Sequence, residues 1–290
     1  MPSYENEPLR LAMQENTDKK QVQQIFASIA PAYDCPATRF FPFCADRLVN
    51  YVRPKPGSKV LDVATGTGAV AVPFAQAIGA SGRVTAVDFS AGMLDRAEAN
   101  IRKMALDNVD LHEMDAERLD FRSNYFHTVV CSYGLFFLPD MPGALREWVR
   151  VLRPGGKLAF TSFEETAFQP MLDDFVARLQ AYGVKLPDGP FGPRRIASLE
   201  HCRELLHDAG LVEVAAECEQ IGYHLSDEND WWEVVSGTAI RALFDQLADD
   251  CKDAFRTEHL AWVAAQKTGN GLWLDVQTRF ASGIKPAASS

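Results

Sequence analysis

Residues 58–68, Ser58-Lys-Val-Leu-Asp-Val-Ala-Thr-Gly-Thr-Gly68, constrain the fold of this chain more than any other segment. An apolar run over 60–64 carries an acid at its third position, Asp62, and enters a Gly-x-Gly turn at Gly66 and Gly68. An apolar stretch over 69–78 follows and predicts a helix. The order is strand, glycine turn, helix. Glycines let the backbone take positive φ and let a ligand approach it closely. The helix start behind them offers unpaired N–H groups to something electronegative. Such a turn predicts a site for a nucleotide-type cofactor.

Further elements recur at matching intervals. Residues 83–88 read as a second strand ending in Asp88, 22 residues beyond Gly66 and close to the ~20 at which nucleotide folds place an acid for ribose hydroxyls. Ser90 is a candidate N-cap for a helix over 91–104. Strands are expected at 109–113, before Met114-Asp115-Ala116, and at 128–131, before Ser132-Tyr133. A helix beginning at Leu145 is expected to stop at Arg153-Pro-Gly-Gly156, and residues 157–162 to form a fifth strand. Strands alternating with helices in this way predict a parallel sheet covered on both faces.

Two cofactors compete for the glycine turn. Gly66-Thr-Gly68-Ala-Val-Ala71 fits the dinucleotide pattern G-x-G-x-x-G/A. A carboxylate at Asp62, however, is repelled by a pyrophosphate and attracted by an ammonium. The ammonium of an amino-acid tail suits S-adenosylmethionine.

At this point the chain resembles the class I S-adenosylmethionine-dependent methyltransferases, and within them the ubiquinone/menaquinone biosynthesis C-methyltransferases. The matching pieces are Val22-Gln-Gln-Ile-Phe-Ala-Ser-Ile-Ala-Pro-Ala-Tyr-Asp34, Val60–Gly68, Val87-Asp-Phe-Ser-Ala-Gly-Met-Leu94 and Arg150-Val-Leu-Arg-Pro-Gly-Gly156. Where those enzymes tend to read Phe-Gly-Leu-Arg-Asn after the fourth strand, this chain reads Tyr133-Gly-Leu-Phe-Phe137. The resemblance implies a Rossmann-like α/β fold: a mostly parallel seven-stranded sheet with helices on both faces, an N-terminal helical lid, and helical insertions before the last strands.

It also implies roles for single residues. Asp88 would take the ribose hydroxyls, Phe89 and Met93 would sandwich the adenine, and Asp115 with Ala116 would meet its amino edge. Asp62, Ala64, Gly66, Thr67, Gly68, Ser132 and Tyr133 would surround the methionine part. Tyr33 would either reach its carboxylate or simply pack. For a general base the candidates are Tyr133 and His201, with His224 also near the inserted segments. For the acceptor they are Phe136, Phe137, Arg194 and Trp231, with the apolar segment 40–43. S-adenosylmethionine transfer to a small acceptor is the expected function. A non-catalytic cofactor-binding protein and a NAD-dependent oxidoreductase are the alternatives.

The organisation predicted is an N-terminal helical segment over 1–56 covering the cofactor, a cofactor-binding core over 57–163, an acceptor-side insertion over 164–200, and the end of the sheet over 201–290 with a helical insertion at about 226–270. Within it, 22–29 is an amphipathic helix, 187–195 a Pro/Gly-rich loop, 198–210 a helix capped by Ser198, 211–221 a strand, and 272–283 the last strand. The six cysteines form no CxxC pair and suit no zinc site, so no metal is expected. A net charge of −10 argues against nucleic acid as partner. With no apolar run long enough to span a bilayer and no signal-like N-terminus, the expected setting is the cytoplasm and the expected state a monomer or homodimer.

Overall fold

A computed structural model describes residues 19–186 and 192–287. Five parallel strands in four pairings, with their crossovers, form its centre. They run β1 (Lys59–Val63), α3 (Ala71–Ile78), β2 (Arg83–Asp88), α4 (Ala91–Lys103), β3 (Val109–Glu113), β4 (Phe126–Ser132), α5 (Met141–Val151) and β5 (Leu152–Phe163). Before them come α1 (residues 19–29) and α2 (Phe40–Val52). After them come α6 (Met171–Ala181), α7 (Leu199–Asp208), β6 (Val212–Gln220), β7 (Tyr223–Leu225), α8 (Glu228–Ser236), α9 (Arg241–Phe244), α10 (Asp249–Ala265), β8 (Leu272–Leu274) and β9 (Gln277–Ile284).

The main sheet has seven strands in the order β3-β2-β1-β4-β5-β9-β6, as the resemblance implied. All pairs from β3 to β5 are parallel, and β9 is antiparallel to both β5 and β6. From β1 the chain moves outward to β2 and β3; from β4 it moves the other way. Right-handed crossovers in opposite directions put their helices on opposite faces and leave a crevice at the C-terminal ends of β1 and β4. Central strands buried on both faces read as continuous apolar runs. Accordingly Val60, Leu61, Val63, Val129 and Val130 are fully buried.

Several boundaries differ from the sequence reading. Helix α5 begins at Met141, four residues before Leu145, because the Asp140 side chain accepts from Gly143 N at 2.8 Å and caps it. It ends at Val151, so Arg153-Pro-Gly-Gly156 lies within the extended stretch of β5, with Gly155 at φ +71°. Ser198 caps α7 by accepting from His201 N. Ser90 occupies the N-cap of α4, but its hydroxyl is buried and caps nothing; the Asp88 carboxylate accepts from Ser90 N instead. The expected strand over 272–283 is two. Residues 272–274 pair with β7 in a separate two-stranded sheet, and only Gln277–Ile284 joins the main sheet. The chain breaks at Asp275, whose carboxylate takes Gln220 Nε2 and whose carbonyl takes Phe168 N. Segment 40–43 is the first turn of α2, with Phe40 buried and Phe43 exposed. Helix α6 arises in a segment expected to be insertion without assigned structure. Part of the expected loop, 187–191, lies outside the described residues. No described helix is long and apolar enough to cross a membrane.

Candidate functional site

The crevice at the strand ends holds two adjoining cavities. The first is lined by Tyr33, Ala64, Gly66, Asp88, Phe89, Met114, Asp115, Ala116, Ser132 and Tyr133, with Lys19, Val22 and Phe26 of α1 across it. It encloses about 70 Å³, because α1 lies over it. Gln23 donates to Phe89 O, and Lys19 Nζ reaches Asp115 Oδ2 at 2.9 Å and also pairs with Glu117.

Local sequence explains the polar groups here. Gly66 at φ +56° turns the chain off β1 and points its N–H at Asp88 Oδ2, 2.8 Å away. Ser90 N donates to the other oxygen at 2.9 Å. The Asp88 carboxylate is thus fixed by backbone donors, with lone pairs left for two hydroxyls. Burial pushes its pKa up, and the N–H groups of Ser90, Gly66 and Phe89 oppose that rise. Of the seven non-glycine residues with left-handed backbone among the described residues, two line this cavity, Ala64 (φ +55°) after β1 and Tyr133 (φ +53°) after β4. Such conformations cost free energy and concentrate at functional sites.

Asp62 lies one layer below, 1% exposed. Thr65 Oγ1 donates to its Oδ2 at 2.6 Å, while Oδ1 is buried with no partner among the described residues. Burial pushes its pKa up to about 7, against the Thr65 hydrogen bond. An orphaned carboxylate oxygen under a glycine turn fits an ammonium, and Asp88 above it fits a ribose. On those two observations the residues fit S-adenosylmethionine.

Other expected residues stand elsewhere. Met93 does not line the cavity; it packs beneath α1 with Ile29 and Ala30, and Met114 occupies the wall instead. Thr67 turns its hydroxyl to Asp34 at 2.5 Å, and Gly68 brings the loop against Ala97. Asp115 faces the cavity but is held by Lys19, and Ala116 gives its carbonyl to Trp148 Nε1. Tyr33 lines the cavity and stacks on Phe41 at 4.6 Å.

The second cavity, of about 490 Å³, shares Phe26, Tyr33, Tyr133 and Phe137 with the first. Its other walls include Phe41, Phe136, Phe163, Phe168, Leu172, Ala239, Ile240 and Leu243. Tyr133 stacks on Phe163 at 4.0 Å, and Phe26 meets Phe137 edge-on at 5.0 Å. Of the acceptor candidates, Phe136, Phe137 and Arg194 line this chamber. Trp231 does not: it is fully buried and donates to His259 Nε2 at 2.7 Å. An indole N–H only donates, so His259 carries its proton on Nδ1 and donates it to Asp174 at 2.7 Å. That buried chain joins α6, α8 and α10 as structure.

None of the base candidates is free in the chamber. The Tyr133 hydroxyl is bonded to Thr278 Oγ1 at 2.6 Å. His201 receives Ala197 N at the start of α7, and His224 packs its ring edge-on to Trp273; neither lines the chamber. Arg195 spans the carbonyls of Phe136, Leu138 and Pro139 and fixes the chamber wall. The charged residues that sequence reasoning missed are Lys19, over the cofactor cavity, Glu164 with Arg279, inside the chamber, and the exposed Glu165 and Asp173 on its wall. Glu164 and Arg279 meet only because β5 pairs with β9, a contact no local pattern announces. The chain's one Tyr-x-x-x-Lys spacing, Tyr51 to Lys55, ends α2 with its hydroxyl on Ala215 O, away from both cavities. No group of three or more potential metal ligands occurs among the described residues.

Comparison with known proteins agrees with this geometry. Residues 13–184 match the ubiE/COQ5 methyltransferase family. The chain is 39% identical over 150 residues to the aklanonic acid methyltransferase DauC of a Streptomyces species, covering 52% of this chain and 68% of that one. It is 34% identical over 156 residues to the ubiquinone/menaquinone biosynthesis C-methyltransferase UbiE of Cronobacter sakazakii, covering 52% and 62%. A solved S-adenosylmethionine-dependent methyltransferase from Aquifex aeolicus superposes with a TM-score of 0.51 at 22% identity, over 65% of this chain and 89% of that one, which shows the shared fold.

Proposed function

The chain belongs to the ubiE/COQ5 methyltransferase family, whose cofactor is S-adenosylmethionine, and from that premise we propose that it methylates a small, mostly apolar, aromatic-sized organic acceptor held in the second cavity. The observation that carries this reading is the chamber itself. Its 490 Å³ lies within the ~300–1,000 Å³ usual for small-ligand sites, and it touches the cofactor cavity through four shared side chains.

S-adenosylmethionine supplies an activated methyl group on a sulfonium that is its own leaving group. The protein's work is then to bind, orient and exclude water. Asp88 and the Gly66 turn hold the nucleoside end, and Asp62 the ammonium. Tyr33, Tyr133, Phe26 and Phe137 border both cavities and would frame the place where acceptor and methyl meet in direct contact. Neither a nucleic acid nor a protein surface suits a recess walled by Phe41, Phe136, Phe163 and Phe168 in a chain of net charge −10. The Phe136-Phe137 pair favours a neutral ring system, of which a quinone precursor is one example. The reading is of a cytoplasmic enzyme acting as monomer or homodimer.

The test is calorimetry with S-adenosylhomocysteine and with NAD, followed by methyl transfer from labelled S-adenosylmethionine to a panel of hydroxylated one- to four-ring compounds. Binding of the thioether but not of NAD, with label on at least one panel member, is expected. Binding without transfer to any acceptor would favour a non-catalytic cofactor-binding protein. Tight NAD binding alone would favour an oxidoreductase.

A further inference from the structure

We propose that Glu164, held by Arg279 inside the chamber, selects an acceptor that presents a hydrogen-bond donor, a phenolic, enolic or alcoholic hydroxyl, and turns away one that presents a carboxylate. The inference rests on the reading of the chamber as the acceptor site.

Arg279 sits on β9 and is 2% exposed. Its Nη1 donates to Phe163 O at 3.0 Å and Ile196 O at 2.5 Å, its Nη2 to Ala197 O at 3.1 Å, and its Nε pairs with Glu164 Oε2. Three of the five N–H donors of a guanidinium are therefore hydrogen-bonded to backbone carbonyls, and Nε lies against Glu164 Oε2 as an ion pair without hydrogen-bond geometry. Its positive charge is matched by Glu164 and is not on offer to a ligand. Glu164 is arranged the other way. One oxygen turns inward to Arg279, and Oε1 has no hydrogen-bond partner among the described residues on a side chain 30% exposed along the chamber wall. Glu164 also directly follows Phe163, whose ring stacks on Tyr133 at the border between the two cavities. An acceptor lying at that border brings its substituents within reach of Oε1.

The remaining charged residues lining the chamber are Glu165, Asp173 and Arg194, all exposed at its mouth. Counting all five, three carboxylates face two guanidiniums, one of which is spent on Glu164. An anionic acceptor enters against the net negative charge of these residues and finds, among the described residues, no unpaired cation deeper than Arg194 at the mouth. A hydroxyl finds a fixed carboxylate, and hydrogen bonds to an ionised acceptor are about twice as strong as neutral ones. The aromatic walls supply the rest of the affinity without distinguishing the two.

The experiment uses the full chain saturated with S-adenosylhomocysteine and three probes of one shape: 2-naphthol, 2-naphthoate and naphthalene, titrated by calorimetry at pH 7. Wild type should bind 2-naphthol roughly tenfold more tightly than either of the others, the scale of one charge-assisted hydrogen bond. Glu164→Gln should lose most of that preference while S-adenosylhomocysteine affinity stays the same. Equal binding of 2-naphthol and naphthalene, tighter binding of 2-naphthoate, or an unchanged ranking in Glu164→Gln would overturn the proposal. Glu164→Gln also leaves Arg279 without its counter-charge, so Glu164→Asp is measured beside it, with melting curves of both. Glu164→Asp should still reject 2-naphthoate but hold 2-naphthol less well; acceptance of 2-naphthoate by this variant again overturns the idea. A protein that binds S-adenosylhomocysteine and all three probes without ranking them removes the role of Glu164 alone. A protein that gives no heat with S-adenosylhomocysteine removes the methyltransferase reading itself.

Discussion

The two cavities share a wall and are built by opposite strategies. In the first, recognition is local and made by groups that the strand ends and their turns position through the backbone. Asp62, Gly66, Asp88, Asp115 and Ser132 each stand at or just beyond the C-terminal end of one of four parallel strands. Their positions follow from strand geometry and from turns such as Gly66 and Ala64, whose φ is positive. In the second, recognition is made by side chains brought from residues as far apart as Ile25 and Arg279. Its polar groups are the Glu164–Arg279 ion pair and a few side chains such as Gln169, Thr238 and Arg194. A backbone-built site keeps its ligand as long as the strands stay in register. A side-chain-built site changes its ligand with each substitution on the wall. The fold therefore holds the cofactor constant while leaving the acceptor free to vary.

If that division is right, substitutions should separate cleanly. The largest effect is expected for Asp88→Ala. It removes the carboxylate that Gly66 N and Ser90 N fix, and should weaken S-adenosylhomocysteine binding by about 2–3 kcal/mol, the scale for hydrogen bonds to a charged group. Calorimetry reads it directly; an unchanged affinity in a folded protein would put the ribose elsewhere. Next is Ala239→Trp, which fills part of the chamber from a half-buried wall position. Transfer to the best acceptor of the panel should fall by about tenfold or more, as a bulky ring takes space needed by a ligand of this size. S-adenosylhomocysteine affinity should not move. A parallel loss of both would show that the two cavities are one.

The same division explains what was legible in the sequence. The strand–turn–helix order around Gly66, the acid at Asp88 and the alternation of strands and helices could be read because their causes lie within a few residues, while the seven-stranded sheet came from the family resemblance. Met93 was misplaced for a reason of the same kind. Its spacing from Phe89 suits a sandwich, but α1 packs on that face of α4 and takes Met93 into its own small cluster. Trp231 stayed open between core and ligand wall because an aromatic on an inserted helix reads the same whether it faces a ligand or, as here, His259. Glu164 and Arg279 could not be found at all. They are 115 residues apart, and only the antiparallel pairing of β5 with β9 joins them. What was missed is mostly what tertiary pairing creates.

Asp62 sharpens the comparison by linking binding to stability. In the folded protein burial raises its pKa to about 7, against about 4 in an unfolded chain. A group with a raised folded pKa contributes stability that is fully present below the unfolded value and is lost as pH rises through the folded one. On this account the ligand-free protein loses stability between about pH 4 and pH 7. Asp62→Asn cannot titrate, so its melting temperature should gain on that of wild type from pH 5 to pH 8, by a few degrees. The same variant should bind S-adenosylhomocysteine several-fold less tightly at pH 8, since the ammonium has lost its carboxylate. A melting difference that stays flat with pH would mean that Asp62 is already ionised and paired.

The smallest effect is expected at the lid, where a charged side chain of α1 reaches across the first cavity. Lys19 holds Asp115 and Glu117 from across the cofactor cavity, and Asp115 is the residue that the family resemblance gives to the adenine amino group. If Lys19 acts as a latch, it competes with the cofactor for that oxygen, and Lys19→Ala should tighten S-adenosylhomocysteine binding. The gain is bounded. Lys19 and Asp115 are 26% and 35% exposed, and partly exposed ion pairs contribute about 0–1 kcal/mol, so the improvement should not exceed about fivefold. It should also shrink as salt screens the pair in wild type, so titrations at low and high ionic strength should converge. Weaker binding in Lys19→Ala, at either ionic strength, would make Lys19 a cofactor contact and α1 a working wall of the first cavity. The boundary between the backbone-built and side-chain-built regions would then run through the lid instead of the aromatic border.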